Sequence, residues 1–228
     1  MNGVLSMCGR FSFAEFEGIE ERFQREPPNL KPNYNVAPSQ DIPVIINNGA
    51  NHLFMYRWGL IPFWAKDPSI SNKMINARAE TIDEKPSFKT CLRRKRCLIV
   101  ADGFYEWKKE GSTKRPHRII LKNKELFGFA GLWDTWKSPT GEIVNSCSVI
   151  TITPNEVMVP IHNRMPVILP REVEQVWLDQ EIIDSNFLKS LLMPYPADLM
   201  MAYEVSTLVN SPKNNGPECL VPVESKLF

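Results

Sequence analysis

Strings of branched and aromatic residues, separated by turn formers and seldom by helical segments, dominate this chain and restrict it to folds built mainly from strands. Ile42 to Ile46 and Leu53 to Trp58 flank Asn47, Asn48 and Gly49, which reads as a hairpin. Further strands are expected at Cys97–Ala101, Gly103–Trp107, Arg118–Leu121, Leu126–Ala130, Val144–Ile152 and Pro166–Leu169. Helices are expected around Ser87–Arg94, Glu172–Leu178 and Asp184–Leu192. Ser12 with Glu15 has capping-box spacing and predicts a short helix ending near Phe23, followed by an extended passage through Pro27, Pro28 and Pro32. The sequence has no regular βαβ alternation, glycine-rich phosphate loop, internal repeat or low-complexity tract. The order is α+β, and a mixed, partly closed, mainly antiparallel sheet with peripheral helices follows.

A length of 228 residues with 43% hydrophobic and 23% charged residues suits one domain spanning 1–228 with a well-buried core. The net charge of +1 provides no overall field for salt-driven duplex binding, so any nucleic-acid site is local. The five cysteines are odd in number, lack C-x-x-C spacing and sit in a chain too large to need disulfides, which points to a reducing cytoplasm. None of the three histidines lies near a cysteine in a ligand-like spacing, so neither a metal nor another cofactor is expected. The start lacks a signal-peptide pattern and apolar runs such as 97–101 are too short to span a bilayer. A soluble, monomeric protein that does not engage membranes is the expectation.

Several polar residues stand inside apolar strings, where folding alone would not put them. Glu106 lies within Gly103-Phe104-Tyr105-Glu106-Trp107. Desolvation by aromatic neighbours would raise its pKa toward a range useful for proton transfer, although period-two alternation equally allows it to face solvent. His162 sits in a loop between Pro160 and Pro166, and is either a proton carrier near neutral pH or a structural loop histidine. Asn76 opens Asn-Ala-Arg-Ala-Glu-Thr, either approaching a ligand or capping a helix. Arg10, Arg78 and Arg164 each follow a candidate position by two residues and could hold phosphates. Trp64, Trp107 and Phe63 offer stacking faces. Lys89, Arg93, Arg94, Lys95 and Arg96 read as a solvated helix end, with phosphate steering as the other possibility.

Cys8 follows a second methionine, Met7. Translation from Met7, with removal of that residue, would leave Cys8 carrying a free α-amine and a thiol on adjacent carbons. Such a pair captures aldehydes, the alternative being that Cys8 is a small buried apolar residue. With a pKa of about 7.7–8.0 against about 10.4 for lysine, the α-amine is far more often unprotonated at neutral pH.

The strings Met-Cys-Gly-Arg-Phe (7–11), Tyr-Asn-Val-Ala-Pro (34–38), Trp-Gly-Leu-Ile-Pro-Phe-Trp (58–64), Asn-Ala-Arg-Ala-Glu-Thr (76–81), Gly-Phe-Tyr-Glu-Trp (103–107) and His-Asn-Arg-Met-Pro (162–166) occur in this order. Together they closely resemble the SOS-response-associated peptidase family, the abasic-site processing proteins. The resemblance runs from residue 7 to about residue 220. It implies a single mixed domain with a barrel-like sheet, core about 8–220, whose N-terminal cysteine bonds covalently to abasic sites in single-stranded DNA. By the same resemblance Cys8 is the nucleophile, Asn76 positions it, Glu106 handles protons at its amine and His162 promotes opening of the sugar. Arg10, Arg78 and Arg164 would hold phosphates, and Asn35, Pro38, Trp64 and Trp107 would shape the DNA channel. Family members expose the cysteine by removing one methionine, whereas six residues precede Met7 here, so residues 1–7 are expected to be absent from the mature protein.

The implied chemistry is addition of the Cys8 amine to the open-sugar aldehyde, loss of water to an imine, and closure of a thiazolidine by the tethered thiol. A persisting imine would allow β-elimination, a lyase reaction. Self-cleavage ahead of Cys8 is compatible with this scheme. A cysteine-type peptidase and a non-covalent single-strand binder are the alternatives. The expected location is the cytoplasm, with association to the nucleoid when bound to DNA.

Overall fold

The computed structural model describes residues 8–16, 19 and 30–223. Its strands, in chain order, are β1 (Phe11–Phe13), β2 (Asn33–Val36), β3 (Asp41–Asn47), β4 (Asn51–Trp58), β5 (Asn76–Arg78), β6 (Arg96–Ala101) and β7 (Gly103–Glu110). They continue with β8 (Thr113–Leu121), β9 (Phe127–Lys137), β10 (Ile143–Ile152), β11 (Met165–Pro166), β12 (Ile168–Leu169) and β13 (Met200–Glu204). Helices α1 (Pro86–Arg94), α2 (Arg171–Leu178) and α3 (Ser185–Ser190) lie among them, together with short 3-10 turns.

Five strands close on themselves. β3 and β4 form the expected hairpin, with Asn47 opposite Asn51 and Gly49 in the left-handed region at φ 105°. β3 also pairs with β6, β6 with β9, β9 with β10, and β10 returns to β4 in parallel through Cys147 opposite Trp58. Closure removes the free edges that an open sheet would expose. All six residues of β6 are buried, which is why that strand reads as an unbroken apolar run after Arg96. β5 lies parallel to β10, while β11 and β12 pair antiparallel to β10 and β9. Val167 interrupts the strand expected over 166–169, donating its N–H to Ile150 O and accepting from Ala130 N–H, both at 2.8 Å.

The second sheet has the order β13-β8-β7-β1-β2, and its pairings are antiparallel. Asp102 alone separates β6 of the barrel from β7 of this sheet. Phe11 bridges the two layers, 5.1 Å from the Trp58 ring and 5.9 Å from that of Phe129, and Phe104 also meets Phe129. Each such ring pair contributes about 0.5–1.5 kcal/mol beyond its buried area. The fold is α+β and mainly antiparallel with peripheral helices. No helix among the described residues is long and apolar enough to cross a membrane.

Two local expectations are overturned. Ser12 does not cap a helix: it lies in β1, and its hydroxyl donates to Asp102. A strand wins there because Phe11 and Phe13 are drawn into the core. The helix end near Phe23, with Pro27 and Pro28, lies outside the described residues. Arg96 is not part of a solvated helix end but is fully buried, donating to the carbonyls of Trp177, Leu92 and Asp179. It satisfies the carbonyl ends of α1 and α2 at once. Burial pulls its pKa down to about 10.

Candidate functional site

Pairing of β1 with β7 continues toward Cys8, because the Tyr105 N–H donates to Arg10 O at 3.0 Å. That brings the Cys8 N–H onto Glu106 Oε1 at 2.7 Å, across 98 residues of sequence. Cys8 is 2% exposed and stands at φ 40°, a left-handed conformation that L side chains adopt only at a cost in strain. The Asn76 side-chain amide donates to Cys8 O at 3.4 Å. Asn76 sits in β5 opposite Val149, not at a helix cap, so the residue that meets the Cys8 carbonyl is delivered by the barrel while Cys8 stands in the turn leading into β1 of the second sheet. The nucleophile candidate therefore lies at the seam between layers.

Glu106 does not face solvent. It is 2% exposed in an interior strand, and burial pushes its pKa up to about 8, opposed by the N–H groups of Cys8 and Trp107. Burial also raises the Cys8 thiol well above its ordinary value, and the neighbouring Glu106 charge adds to this. The sulfur is thus held as a thiol at neutral pH, while the carboxyl can take up or release a proton near the pH where an α-amine titrates.

Asp102 anchors the strand behind Cys8. It accepts from the Ser12 hydroxyl, from Ala14 N–H at 2.6 Å, Glu15 N–H at 3.0 Å and Arg118 Nη2 at 2.8 Å. Gly103 beside it leaves room for that guanidinium, since an added Cβ would meet Arg118 Nε at 2.8 Å. Asp102 was missed in the sequence, although it stands in an apolar string just as Glu106 does.

His162 occupies the turn before β11, half-buried, its Nδ1 accepting the Arg164 N–H at 3.2 Å. The neutral ring accordingly carries its proton on Nε2, and burial lowers its pKa. No hydrogen bond among the described residues joins His162 to Cys8 or Glu106. Its loop leads into β11, which meets β10 at Thr151, and the same Thr151 pairs with Arg78 of β5.

The arginines differ in availability. Arg78 is exposed. Arg10 spends Nη1 on Asn35 Oδ1 and Val209 O, both at 2.7 Å, and lies 5.8 Å from the centre of the Trp107 ring. Arg164 forms a two-pronged pair with Glu80 at 2.5 and 2.9 Å and also donates to Thr151 O at 2.6 Å. Asn35 is fully buried, so it does not line the surface directly: its amide donates to Val209 O, Ser211 O and Asn214 O and seats the segment 205–222 against β2 and β7. Asn210 of that segment accepts from Trp107 Nε1 at 2.7 Å. Pro38 is half-buried next to β2.

Trp64 and Phe63 are 48% and 61% exposed on a loop that is not loose. The Ile61 N–H donates to Ser146 Oγ and the Phe63 N–H to Asp134 Oδ2, both at 2.8 Å, and Asp134 pairs with Lys95 at 2.6 Å. Large aromatic faces presented from a fixed backbone are suited to stacking on bases.

The sequence profile described as SOS response associated peptidase (SRAP) matches residues 7–212. The abasic site processing protein YoqW of Bacillus subtilis (strain 168) is 55% identical, covering 94% of this chain and 99% of its own. The abasic site processing protein HMCES of Rattus norvegicus is 34% identical over 88% of this chain and 67% of its own. A crystallographically solved protein from Bacteroides thetaiotaomicron superposes with a TM-score of 0.87 at 31% identity, covering 95% of this chain and 100% of that one.

Proposed function

Since the chain belongs to the SOS response associated peptidase family, we propose that it processes abasic sites in single-stranded DNA by joining Cys8 covalently to the ring-opened sugar. The observation that carries this reading is the 2.7 Å contact between the Cys8 main-chain nitrogen and the buried Glu106 carboxyl. Released from its peptide bond, that nitrogen becomes an α-amine within hydrogen-bond reach of a buried carboxyl that can relay its protons.

His162, neutral with its proton on Nε2, promotes opening of the sugar to its aldehyde. The amine adds to the aldehyde carbon, and Glu106 passes a proton to the departing oxygen, which leaves as water and gives an imine. The Cys8 sulfur then adds to the imine carbon while its proton goes to nitrogen, closing the thiazolidine. A thiol held protonated is no handicap in this order, because the amine attacks first and the sulfur is already tethered. It is a handicap for a cysteine peptidase, which needs a thiolate and a base on the sulfur from the outset. If the imine persists, loss of the 3′ phosphate by β-elimination gives lyase activity.

Cys8 must first become the N-terminal residue, through translation from Met7 with removal of that methionine or through cleavage of residues 1–7. Attack of the Cys8 sulfur on the Met7 carbonyl, a single-turnover step in which Glu106 relays the thiol proton to the departing nitrogen, would move that acyl group to sulfur, and water would then hydrolyse the thioester. Arg10, Arg78 and Arg164 supply the phosphate contacts, Trp64 and Trp107 the stacking faces, and Asn76 holds the Cys8 carbonyl. A single domain acting as a monomer in the cytoplasm accommodates this chemistry.

The test combines intact mass with crosslinking to an abasic single strand. Crosslinking protein is expected to begin at Cys8, and Cys8→Ala to lose the hydroxylamine-stable adduct while keeping a borohydride-trappable imine. Active protein that retains residues 1–7 would sink the thiazolidine mechanism.

A further inference from the structure

Glu80 follows β5 on a 3-10 turn and reaches across the end of β10 to Arg164. Its two carboxylate oxygens take Nη1 at 2.5 Å and Nη2 at 2.9 Å, the fork geometry with which arginine also binds two oxygens of a phosphate. Nη2 is further engaged by Thr151 O at 2.6 Å and Thr151 Oγ1 at 3.3 Å, and Nε is buried. While Glu80 is in place, the outward edge of Arg164 is occupied, so no phosphate can be gripped there by both prongs. The two partners are unequally accessible: the Glu80 side chain is 44% exposed and that of Arg164 12%. A carboxylate on the open side of a recessed guanidinium can swing away without disturbing the core. The hydrogen bonds from Arg164 hold the Glu80 carboxyl below the usual carboxylate range, and Arg78, exposed on β5 opposite Thr151, adds a smaller field. One acidic side chain thus sits where two of the candidate phosphate-holding arginines converge.

We infer that Glu80 stands in for a DNA phosphate in the unbound protein and must be displaced from Arg164 before a strand is seated. This rests on the reading of Arg164 as a phosphate contact. The exchange trades one anion for another, so part of the affinity that Arg164 offers a phosphate is offset by the lost Glu80 pair, and binding of intact strands is weakened without being abolished. Glu80 is then a specificity determinant: it suppresses capture of undamaged single strands without touching the reacting atoms.

The experiment measures binding of labelled oligothymidylate without a lesion, by fluorescence anisotropy over a salt series, for wild type, Glu80→Gln, Glu80→Ala, Arg164→Ala and the Glu80→Gln/Arg164→Ala double variant. Thermal melting checks that each is folded. Both Glu80 variants are expected to bind about two- to fivefold tighter, the strength of a part-exposed ion pair. Their salt dependence should steepen by about 0.7, the single-strand value for one phosphate contact. Arg164→Ala should bind more weakly and erase the effect of Glu80→Gln. If Arg164→Ala weakens binding but Glu80→Gln leaves it unchanged or weaker, Glu80 orients the arginine and does not compete, and the inference is overturned. If Arg164→Ala binds as wild type does, the phosphate-contact reading itself fails, and the inference with it.

Discussion

Replacing Glu106 with glutamine should alter stability and chemistry in opposite directions, and the sizes follow from its burial. The carboxyl is displaced from an ordinary 4.5 to about 8, because its charged form is deprived of water. A raised folded-state pKa means that the native protein holds a proton the unfolded chain has already released. Stability from the protonated form is therefore complete below about pH 4.5 and is lost progressively as pH rises toward 8. At about 1.4 kcal/mol per pH unit the loss amounts to as much as about 5 kcal/mol. Glutamine keeps the shape and an oxygen that accepts the Cys8 N–H, but it has no proton to lose. Urea denaturation of wild type and Glu106→Gln, both carrying Cys8 in its peptide bond, should give similar midpoints at about pH 5 and a variant more stable by several kcal/mol at about pH 9. Crosslinking of the processed forms to an abasic strand should meanwhile slow by roughly ten- to ten-thousandfold, the usual contribution of a positioned acid or base, with affinity for the strand little changed. Parallel stability curves across this pH range would mean that Glu106 is ionised in the native protein. A wild-type crosslinking rate would mean that its proton is not used.

Trp64→Ala should weaken single-strand binding by about 1–3 kcal/mol for the base it stacks on, with little change in melting temperature because the ring is half outside the core; titration and melting of the same sample decide it. Asn35→Ala should take the side-chain donor from the carbonyls of Ser211 and Asn214, and leave Val209 O with Arg10 alone, at about 1–3 kcal/mol. Hydrogen exchange should then accelerate across 205–222, and unchanged protection there would show that the segment is held by other contacts.

What the sequence discloses of this fold depends on whether a residue's environment is local. β6 and the β3–β4 hairpin declare themselves through apolar runs and turn formers. β1, β2 and β5 do not: each is only three or four residues long, and each forms because a remote strand completes its hydrogen bonds. Asn76 consequently resembles a cap and Ser12 a capping box, when both are strand residues placed by partners far along the chain. Polarity misleads in the same way. Glu106 and Arg96 are charged and buried, Arg78 is charged and exposed, and nothing in their immediate neighbours separates them. Asn35 is polar, yet it serves the interior. Cys8, Asn76 and Glu106 were recognisable as a set through family resemblance, and the structure joins them by hydrogen bonds. Glu80 was hidden because its meaning lies in its pairing with Arg164, 84 residues away.

The segment 205–222 also ties the site to the order in which a ribosome delivers the chain. Arg10 finds its carbonyl acceptor at Val209, 199 residues downstream, and Trp107 finds its acceptor at Asn210. A nascent chain that has emerged only as far as β10 holds Cys8, Asn76 and Glu106 but has no Val209 against which to set Arg10. The Cys8 end of the candidate site is therefore synthesised first, and the acceptors that set Arg10 and Trp107 follow much later. In this fold, synthesis of the segment 205–222 is the event that fixes Arg10 and Trp107 in place.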